Sequence, residues 1–209
     1  MIKVLIADDH TIVRHGLKQI LNLDPQIEVL FEANNGDEAL NFLRGSLADV
    51  VVLDITMPGR NGLETLKDIK RLYPSIAIIV LSMHPKDQYA VRVLKAGASG
   101  YITKESAPEE LVNAIRKAYY GEKYISPDVA GLLLDYIEHG APDQPHKLLS
   151  DREFEVFRLI ASGKGITQIA NELNLSVKTV STYRTRIVEK TGLTSNSDIT
   201  RYSIEHQLV

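Results

Sequence analysis

The chain has 209 residues, 44% of them hydrophobic and 24% charged, and this composition is typical of globular domains and excludes a disordered or fibrous protein. It has no cysteine, no apolar run near the roughly 18 residues of a membrane span and no secretory leader, so we expect a cytoplasmic protein of one or two domains, without disulfides or a membrane partner. The net charge of −3 does not favour nucleic acid as a partner. However, residues 147–209 hold 9 Lys and Arg against 7 Asp and Glu (+2), whereas residues 1–146 hold 15 against 20 (−5). This uneven distribution permits nucleic-acid binding by the C-terminal part.

Short apolar, β-branched runs alternate with helical patterns up to about residue 120. Apolar residues three or four positions apart predict the intervening helices, and strands that alternate with helices indicate βαβ units and a parallel sheet. Five strands and five helices in about 120 residues fit an α/β domain of the flavodoxin-like (βα)5 type. The predicted strands are 2–7, 27–33, 49–53, 76–82 and 100–103.

The alternation stops after Gly121. Residues 126–128 can begin one more helix over 129–138, and residues 139–146, with one Gly and two Pro, are typical of a linker. From residue 148 onward every pattern is helical, beginning with a capping-box sequence at 150–153. We therefore predict an α/β domain over 1–121, a linker with a possible helix over 122–146, and a small all-α domain over 147–209, with its last three helices at 166–173, 177–190 and 197–206.

Polar or charged side chains stand at the ends of four predicted strands. Ligands of doubly wound sheets bind outside these carboxyl ends. Clustered carboxylates suit Mg²⁺, an aspartate beside a metal can attack phosphorus, and a lysine and a hydroxyl can bind phosphoryl oxygens. Each of these residues alone is more typical of a turn, a helix cap or a solvated surface, so their shared edge is what favours a phosphoryl-transfer site. The five residues expected to share this edge are Asp8, Asp9, Asp54, Ser82 and Lys104.

These residues, with the run 51–59 and Ala96-Gly97-Ala98, resemble the receiver domain of bacterial response regulators over about residues 1–120. The resemblance implies that Asp54 accepts a phosphoryl group from a sensor histidine kinase. It implies that Asp9, Asp54 and the backbone carbonyl of Thr56 bind Mg²⁺ directly, and that Asp8 acts largely through metal-bound water.

The same resemblance implies that Ser82 and Lys104 bind the phosphoryl oxygens and that Tyr101 is an aromatic switch residue coupled to Ser82. Met83 stands where many receivers have a small residue, so we expect narrower access to the phosphoacceptor. The residues Thr56 and His84 are expected to tune the lifetime of the phosphate.

Two other uses of an acidic strand-end site are opposed by particular residues. Phosphatases of the haloacid dehalogenase type have a second acid two residues after the nucleophile, where this chain has Thr56. Flavin binding is disfavoured because the first loop is acidic and has no glycine-rich phosphate cradle.

The patterns at 166–173 and 177–190, joined by a tight turn, are typical of a helix-turn-helix. Ser176 is suited to cap the second helix, and residues 177–190 carry four basic and one acidic side chain. A small helical bundle with a polar outer face would show similar charges. On the second helix we expect Val177, Val180, Ile187 and the stem of Arg184 to face inward.

Residues 147–208 resemble the LuxR-type DNA-binding domain of NarL/FixJ-family regulators, through 149–153, Gly163, Ile169-Ala170 and 176–180, and residues 178–186 are most similar to the GacA/UvrY-like and BvgA-like group. The resemblance implies that 177–190 lies in the major groove of double-stranded DNA. Ser181, Thr182 and Thr185 would meet base edges, and Lys178, Thr179, Tyr183 and Arg186 would contact phosphates.

The final helix, 197–206, would form a homodimer, so an inverted-repeat DNA site is expected. The sequence therefore predicts a phosphorylation-controlled transcription factor rather than an enzyme, with at most Mg²⁺-dependent self-phosphorylation and autodephosphorylation. A phosphate-independent DNA-binding scaffold and a metal-dependent phosphatase are the alternatives; the complete acidic set opposes the first, and Thr56 opposes the second.

Overall fold

The computed structural model of the chain describes residues 1–83, 86–127, 129–131, 133–134, 144–206 and 208–209, with the backbone alone at 86–89. The chain divides into two compact units, Met1–Leu134 and Asp135–Val209. Within the described ranges, no helix combines the length and apolar character needed to cross a membrane.

The first unit is a five-stranded parallel sheet with strand order β2-β1-β3-β4-β5, which confirms the predicted flavodoxin-like architecture. The strands are β1 (Ile2–Ala7), β2 (Ile27–Ala33), β3 (Val50–Asp54), β4 (Ala77–Ser82) and β5 (Gly100–Thr103). The helices are α1 (Thr11–Asn22), α2 (Gly36–Gly45), α3 (Gly62–Leu72), α4 (Lys86–Lys95) and α5 (Ala107–Tyr119).

The central strands are the most apolar because both of their faces are covered. Every residue of β3 and of β4 is buried, whereas in the edge strand β2 only the end residues Ile27 and Ala33 are buried. The β3–β4 register pairs Asp54 with Leu81, so β3 includes Asp54 instead of ending one residue before it as predicted. The parallel register therefore brings the ends of β1, β3, β4 and β5 to one edge of the sheet.

The second unit is helical, as predicted. After a short 3-10 helix (Pro145–Leu148) come α6 (Asp151–Ala161), α7 (Ile166–Glu172), α8 (Val177–Thr191) and α9 (Asn196–Glu205). The predicted capping box begins α6, since the Ser150 hydroxyl accepts the Glu153 amide and the Glu153 carboxylate accepts the Ser150 amide at 2.7 Å. The hydroxyl of Ser176 caps α8 by accepting the Thr179 amide at 3.0 Å.

One packing prediction for α8 is wrong. Val180 and Ile187 are buried as expected, but Val177 is 49% exposed. Val177 is the first residue of the helix, one turn before the buried Val180, so the core does not reach its side chain. The predicted helix over 129–138 and the linker over 139–146 extend into residues 135–143, which lie outside the described residues.

Candidate functional site

The carboxyl edge of the sheet carries an ion-pair bridge. Lys104, just after β5, places its ammonium 2.6 Å from Asp8 Oδ2 and 2.7 Å from Asp54 Oδ2. The two carboxylate side chains are 1% exposed and the lysine side chain is 6% exposed. One buried cation thus compensates two buried anions that come from different strands.

Burial dominates the electrostatics of Asp54. It raises the pKa of Asp54 to about 6, with the nearby Asp8 adding to the rise and Lys104 opposing it. For Lys104, burial would lower the pKa, but the ion pairs with Asp54 and Asp8 outweigh it and the pKa is raised. The lysine is therefore charged at neutral pH, and Asp54 ionises at a higher pH than an ordinary aspartate.

The loop after β1 adds further ligand atoms at this edge. One ligand atom from each of Asp8, Asp9, His10 and Asp54 lies within 4.8 Å of the others. Asp9 Oδ1 is buried and accepts no hydrogen bond within the described part of the chain, although His10 Nδ1 lies 3.0 Å away. This carboxylate oxygen of Asp9, together with the carboxylates of Asp8 and Asp54, forms a set of oxygen ligands that suits a hard divalent cation such as Mg²⁺.

The loop after β3 is fixed by close backbone contacts around Asp54. The Thr56 amide donates a hydrogen bond to Asp54 Oδ1 at 3.1 Å, and the Gly62 amide donates to the Ile55 carbonyl at 2.9 Å. The side chain of Asn61 caps α3 by accepting the Glu64 amide at 2.8 Å. A Cβ atom at Gly62 would lie 2.0 Å from the Asp54 carbonyl oxygen, so this approach requires glycine.

Sequence reasoning missed Arg14 and Gly62. Arg14 is 7% exposed and donates from Nη1 to the Asp8 carbonyl at 2.5 Å, so it holds the loop that carries the acidic pair. A signal for Arg14 was present, because it lies next to Val13 and one turn before Leu17, among the apolar positions of α1. No sequence signal identified Gly62, because its constraint comes from a backbone contact across the loop.

The hydroxyl and aromatic residues predicted for the switch are both buried. Ser82 is fully buried, and its carbonyl accepts the Lys104 amide at 2.9 Å, which places the ends of β4 and β5 side by side. Tyr101 is 1% exposed. Met83 is 74% exposed, so its side chain does not pack into the site. His84 lies outside the described residues.

In the second unit, α7 and α8 form a compact helix-turn-helix. Ala170 is 2% exposed, and its carbonyl accepts the Leu175 amide at 2.8 Å. The turn includes Asn174, which has a φ of 51°. Short side chains at these positions let the two helices approach closely.

The outward surface of α8 carries the residues predicted to contact DNA. The hydroxyls of Thr182 and Thr185 donate to backbone carbonyls one turn earlier, at 3.0 and 3.2 Å. Arg184 lies aside from this surface and donates to the side chain of Asn196 at 3.1 Å. The exposed residues are Lys178, Ser181, Thr182, Thr185 and Arg186, and the half-buried ones are Thr179 and Tyr183.

The last turns of α8 are tied to the start of α6. Lys190 Nζ lies 2.6 Å from Glu153 Oε2, and the Glu153 side chain is 4% exposed. Burial alone would raise the pKa of Glu153, but hydrogen bonds from Lys190 and Ser150 hold it below its usual value. The capping residue of α6 thus also fixes the position of α8.

Comparison with known proteins identifies both units. Residues 4–116 match the response regulator receiver domain, and residues 147–203 match the bacterial regulatory proteins of the luxR family. Over its full length the chain is 39% identical to the response regulator UvrY of Escherichia coli O6:H1, covering 96% of that protein. It is 38% identical to the response regulator GacA of Pseudomonas aeruginosa, covering all of this chain and 98% of that protein.

Solved structures of RcsB show the same likeness. RcsB from Salmonella enterica serovar Typhimurium, bound to the promoter rprA in the presence of the phosphomimetic BeF3−, is 33% identical with a TM-score of 0.68, covering 96% of this chain and 97% of that one. An RcsB–DNA complex gives a TM-score of 0.61 at 33% identity, with 96% of each chain covered. The chain therefore belongs to the two-component response regulators of the NarL/FixJ family, in which a receiver domain precedes a LuxR-type helical domain.

Proposed function

We propose that this response regulator accepts a phosphoryl group on Asp54 from a sensor histidine kinase and thereby controls its binding to DNA. The observation that carries the proposal is the buried bridge from Asp8 through Lys104 to Asp54 at the carboxyl edge of the sheet. A structural ion pair would need one carboxylate, whereas a second buried carboxylate raises the pKa of Asp54 and is costly without a function.

The residues around Asp54 suit phosphoryl transfer. Bound Mg²⁺ would neutralise charge and orient the phosphoryl oxygens of the donor, held by Asp8, Asp9, Asp54 and the backbone carbonyl of Thr56. A carboxylate oxygen of Asp54 attacks phosphorus, and the donor leaves with the electrons of its bond to phosphorus.

Residues at the ends of β4 and β5 bind the negatively charged oxygens of the incoming phosphoryl group. The Lys104 ammonium, which faces two carboxylates, exchanges one of them for the new phosphoryl oxygens. The Ser82 hydroxyl binds a further phosphoryl oxygen, and the buried Tyr101 ring responds to the movement of Ser82. Such a local change in charge biases a two-state equilibrium of the receiver.

The C-terminal unit supplies the output. We propose that α8 enters the major groove of double-stranded DNA, with Ser181, Thr182 and Thr185 at base edges. RcsB is described as bound to promoter DNA and, in another structure, as two dimers on two DNAs. The same mode here gives a homodimer joined through α9 on an inverted-repeat site. The phosphate contacts fall to Lys178, Thr179, Tyr183 and Arg186.

The division of labour along the chain is part of the proposal. Residues 1–121 form the phosphoacceptor domain, 122–146 the linker and 147–209 the DNA-binding domain, which is supported by the family matches over 4–116 and 147–203. The chemistry of the receiver is limited to self-phosphorylation from a phosphodonor and autodephosphorylation. Thr56 stands where a phosphatase would need a second acid, so rapid turnover is not expected.

The test combines labelling with DNA binding. Wild type and Asp54→Asn are incubated with Mg²⁺, with and without acetyl phosphate, and then measured by intact mass, light scattering and DNA affinity. We expect one added phosphoryl group, a dimer and tighter DNA binding in wild type only. Equal DNA binding by both proteins without incorporated phosphate would favour the phosphate-independent scaffold, and continuous release of phosphate over many equivalents would favour a phosphatase.

A further inference from the structure

The segment that follows α5 returns to the sheet and pairs with its outer edge. The Tyr124 amide donates to the Ser99 carbonyl at 2.8 Å, and Tyr124 forms a parallel β-bridge with Gly100. The neighbouring Lys123 donates from Nζ to the Ala98 carbonyl at 2.5 Å. Residues 123–124, here called the connector anchor, therefore cover the edge of β5 before the chain continues towards the second unit.

Gly100 makes this pairing possible. A Cβ atom at position 100 would lie 3.0 Å from both the Cβ atom and the carbonyl oxygen of Tyr124, and 2.9 Å from Ile79 Cδ1. Two of these three atoms belong to Tyr124, in the segment that follows α5. A side chain at position 100 would therefore require Ile79 and the connector anchor to shift by a few tenths of an ångström.

The side chain of Tyr124 holds the connector anchor against α5 as well. Its hydroxyl hydrogen-bonds to Glu110, and Lys117 Nζ lies 5.9 Å from its ring centroid. The ring also packs on the hydrophobic core that includes Ile102 of β5 and Leu111 of α5. The chain is thus fixed to both elements at one residue.

The paired strand is the one that carries the predicted switch residue. Tyr101 directly follows Gly100, and Lys104 follows the end of β5 with its ammonium between Asp8 and Asp54. A displacement of β5 that accompanies phosphorylation would therefore move the backbone partner of Tyr124. No side-chain relay is needed for this, because backbone hydrogen bonds join the two segments.

We propose that Tyr124 is a positioning residue that couples the phosphorylation site to the DNA-binding unit by tying the segment that follows α5, and leads on towards that unit, to β5. The inference rests on the proposed function, since it concerns how the charge change at Asp54 reaches the second unit. It assigns to the connector anchor a role in transmission that is separate from phosphoryl transfer itself.

The test compares Tyr124→Ala, Tyr124→Phe and Gly100→Ala in the full chain with Mg²⁺ and acetyl phosphate. Two quantities are measured: the phosphate incorporated on Asp54, and the ratio of DNA affinities with and without phosphorylation. Allosteric coupling is typically about 5- to 150-fold, which we expect for wild type. For Tyr124→Ala and Gly100→Ala we expect wild-type labelling and a ratio below about 3-fold. Tyr124→Phe keeps the ring contacts and should retain most of the ratio.

Tyr120→Ala is the matched control, because this neighbouring tyrosine is 76% exposed and should leave the ratio unchanged. A wild-type ratio in Tyr124→Ala would overturn the proposal, and so would loss of Asp54 labelling in parallel with loss of folding. Hydrogen exchange at the Tyr124 amide of wild type gives an independent readout. If phosphorylation tightens DNA binding but leaves that exchange unchanged, the coupling route is wrong and the proposed function stands. If the exchange changes while DNA binding does not, the effect of phosphorylation reaches Tyr124, but neither the proposed control of DNA binding nor its coupling through Tyr124 stands.

Discussion

At the scale of single residues, the site is defined by an imbalance between two buried acids and one buried base. Lys104 satisfies both Asp8 and Asp54, yet burial still raises the pKa of Asp54 to about 6. The resting receiver therefore carries an electrostatic cost that a divalent cation can relieve. The three side chains that determine the stability of this edge are also those for which we propose a part in phosphoryl transfer.

The raised pKa of Asp54 makes stability depend on pH. The pKa of Asp54 is near its ordinary value of 3.8 in the unfolded chain and about 6 in the folded chain, so the group favours folding below pH 3.8 and loses that contribution as pH rises through 6. The Asp54→Asn variant has no ionisable group at this position, so it does not lose stability in this way. In EDTA, the free energy of unfolding of Asp54→Asn relative to that of wild type should therefore increase between pH 4 and 6. At 1.36 kcal/mol per pKa unit, the full gain from below pH 3.8 to above pH 6 is on the order of 3 kcal/mol, of which about 2 kcal/mol falls between pH 4 and 6. Denaturant unfolding at both pH values checks it, and a pH-independent difference would contradict it.

Removal of the shared cation should be more costly than removal of a surface lysine. Lys104→Met leaves two buried carboxylates without their partner, and breaking a buried pair costs about 3–5 kcal/mol. Lys18→Met is the matched control, because Lys18 pairs with Glu32 at 2.6 Å but its side chain is 44% exposed, so about 0–1 kcal/mol is expected. Denaturant unfolding at neutral pH in EDTA measures both. Equal losses in the two variants would show that Lys104 is not a buried partner.

At the scale of elements, the sequence predicted what local patterning determines. The five strands, the capping box at Ser150 and the helix-turn-helix follow from periodicity and capping residues, and the structure contains them all. The acids were correctly placed at one edge, because parallel strands share their carboxyl ends. The sequence reasoning failed where packing sets a contact. Val177 is exposed because the core starts one turn later, and Gly62 is constrained by the backbone of Asp54 and Ile55, which no periodic pattern predicts.

The close approach at Gly62 gives a prediction for the loop after β3. In Gly62→Ala the new Cβ would meet the Asp54 carbonyl oxygen at 2.0 Å and the Ile55 Cα at 2.6 Å, and neither backbone atom can rotate away. We expect a loss of about 1–3 kcal/mol, as for other overpacked sites, together with slower labelling of Asp54 by acetyl phosphate. Gly45→Ala, where nothing lies within 4 Å of the new Cβ, should neither destabilise the receiver nor slow labelling. Wild-type labelling in Gly62→Ala would mean that the loop adapts without moving Asp54.

At the scale of the whole molecule, charge is distributed unevenly along the chain. Residues 1–146 hold 15 basic against 20 acidic side chains (−5), and residues 147–209 hold 9 against 7 (+2). The positive excess is concentrated on α8, which has four basic residues and one acidic residue over 177–190. Attraction to DNA phosphates therefore depends on one helix surface rather than on the net charge of the protein.

This surface predicts two kinds of DNA-binding variant. Arg186→Gln should weaken binding to all sequences and reduce the slope of log affinity against log salt by about 1, because it removes one phosphate contact. Ser181→Ala should keep that slope and alter the preference among sequences instead. Arg71→Gln is the control, since this exposed arginine lies on α3 of the receiver and pairs with Asp68. Salt titrations on two operators distinguish these cases, and an unchanged slope in Arg186→Gln would remove this residue from the interface.

The pairing of Tyr124 with β5 also bears on how such regulators can be recombined. A chimera that joins this receiver to a foreign output domain directly after Gly121 would leave β5 with an uncovered edge and Gly100 without its neighbour. A joint placed after the connector anchor keeps the native edge intact. The boundary between exchangeable domains in this architecture should therefore be placed after the last residue that pairs with the sheet, and not directly after the last receiver helix.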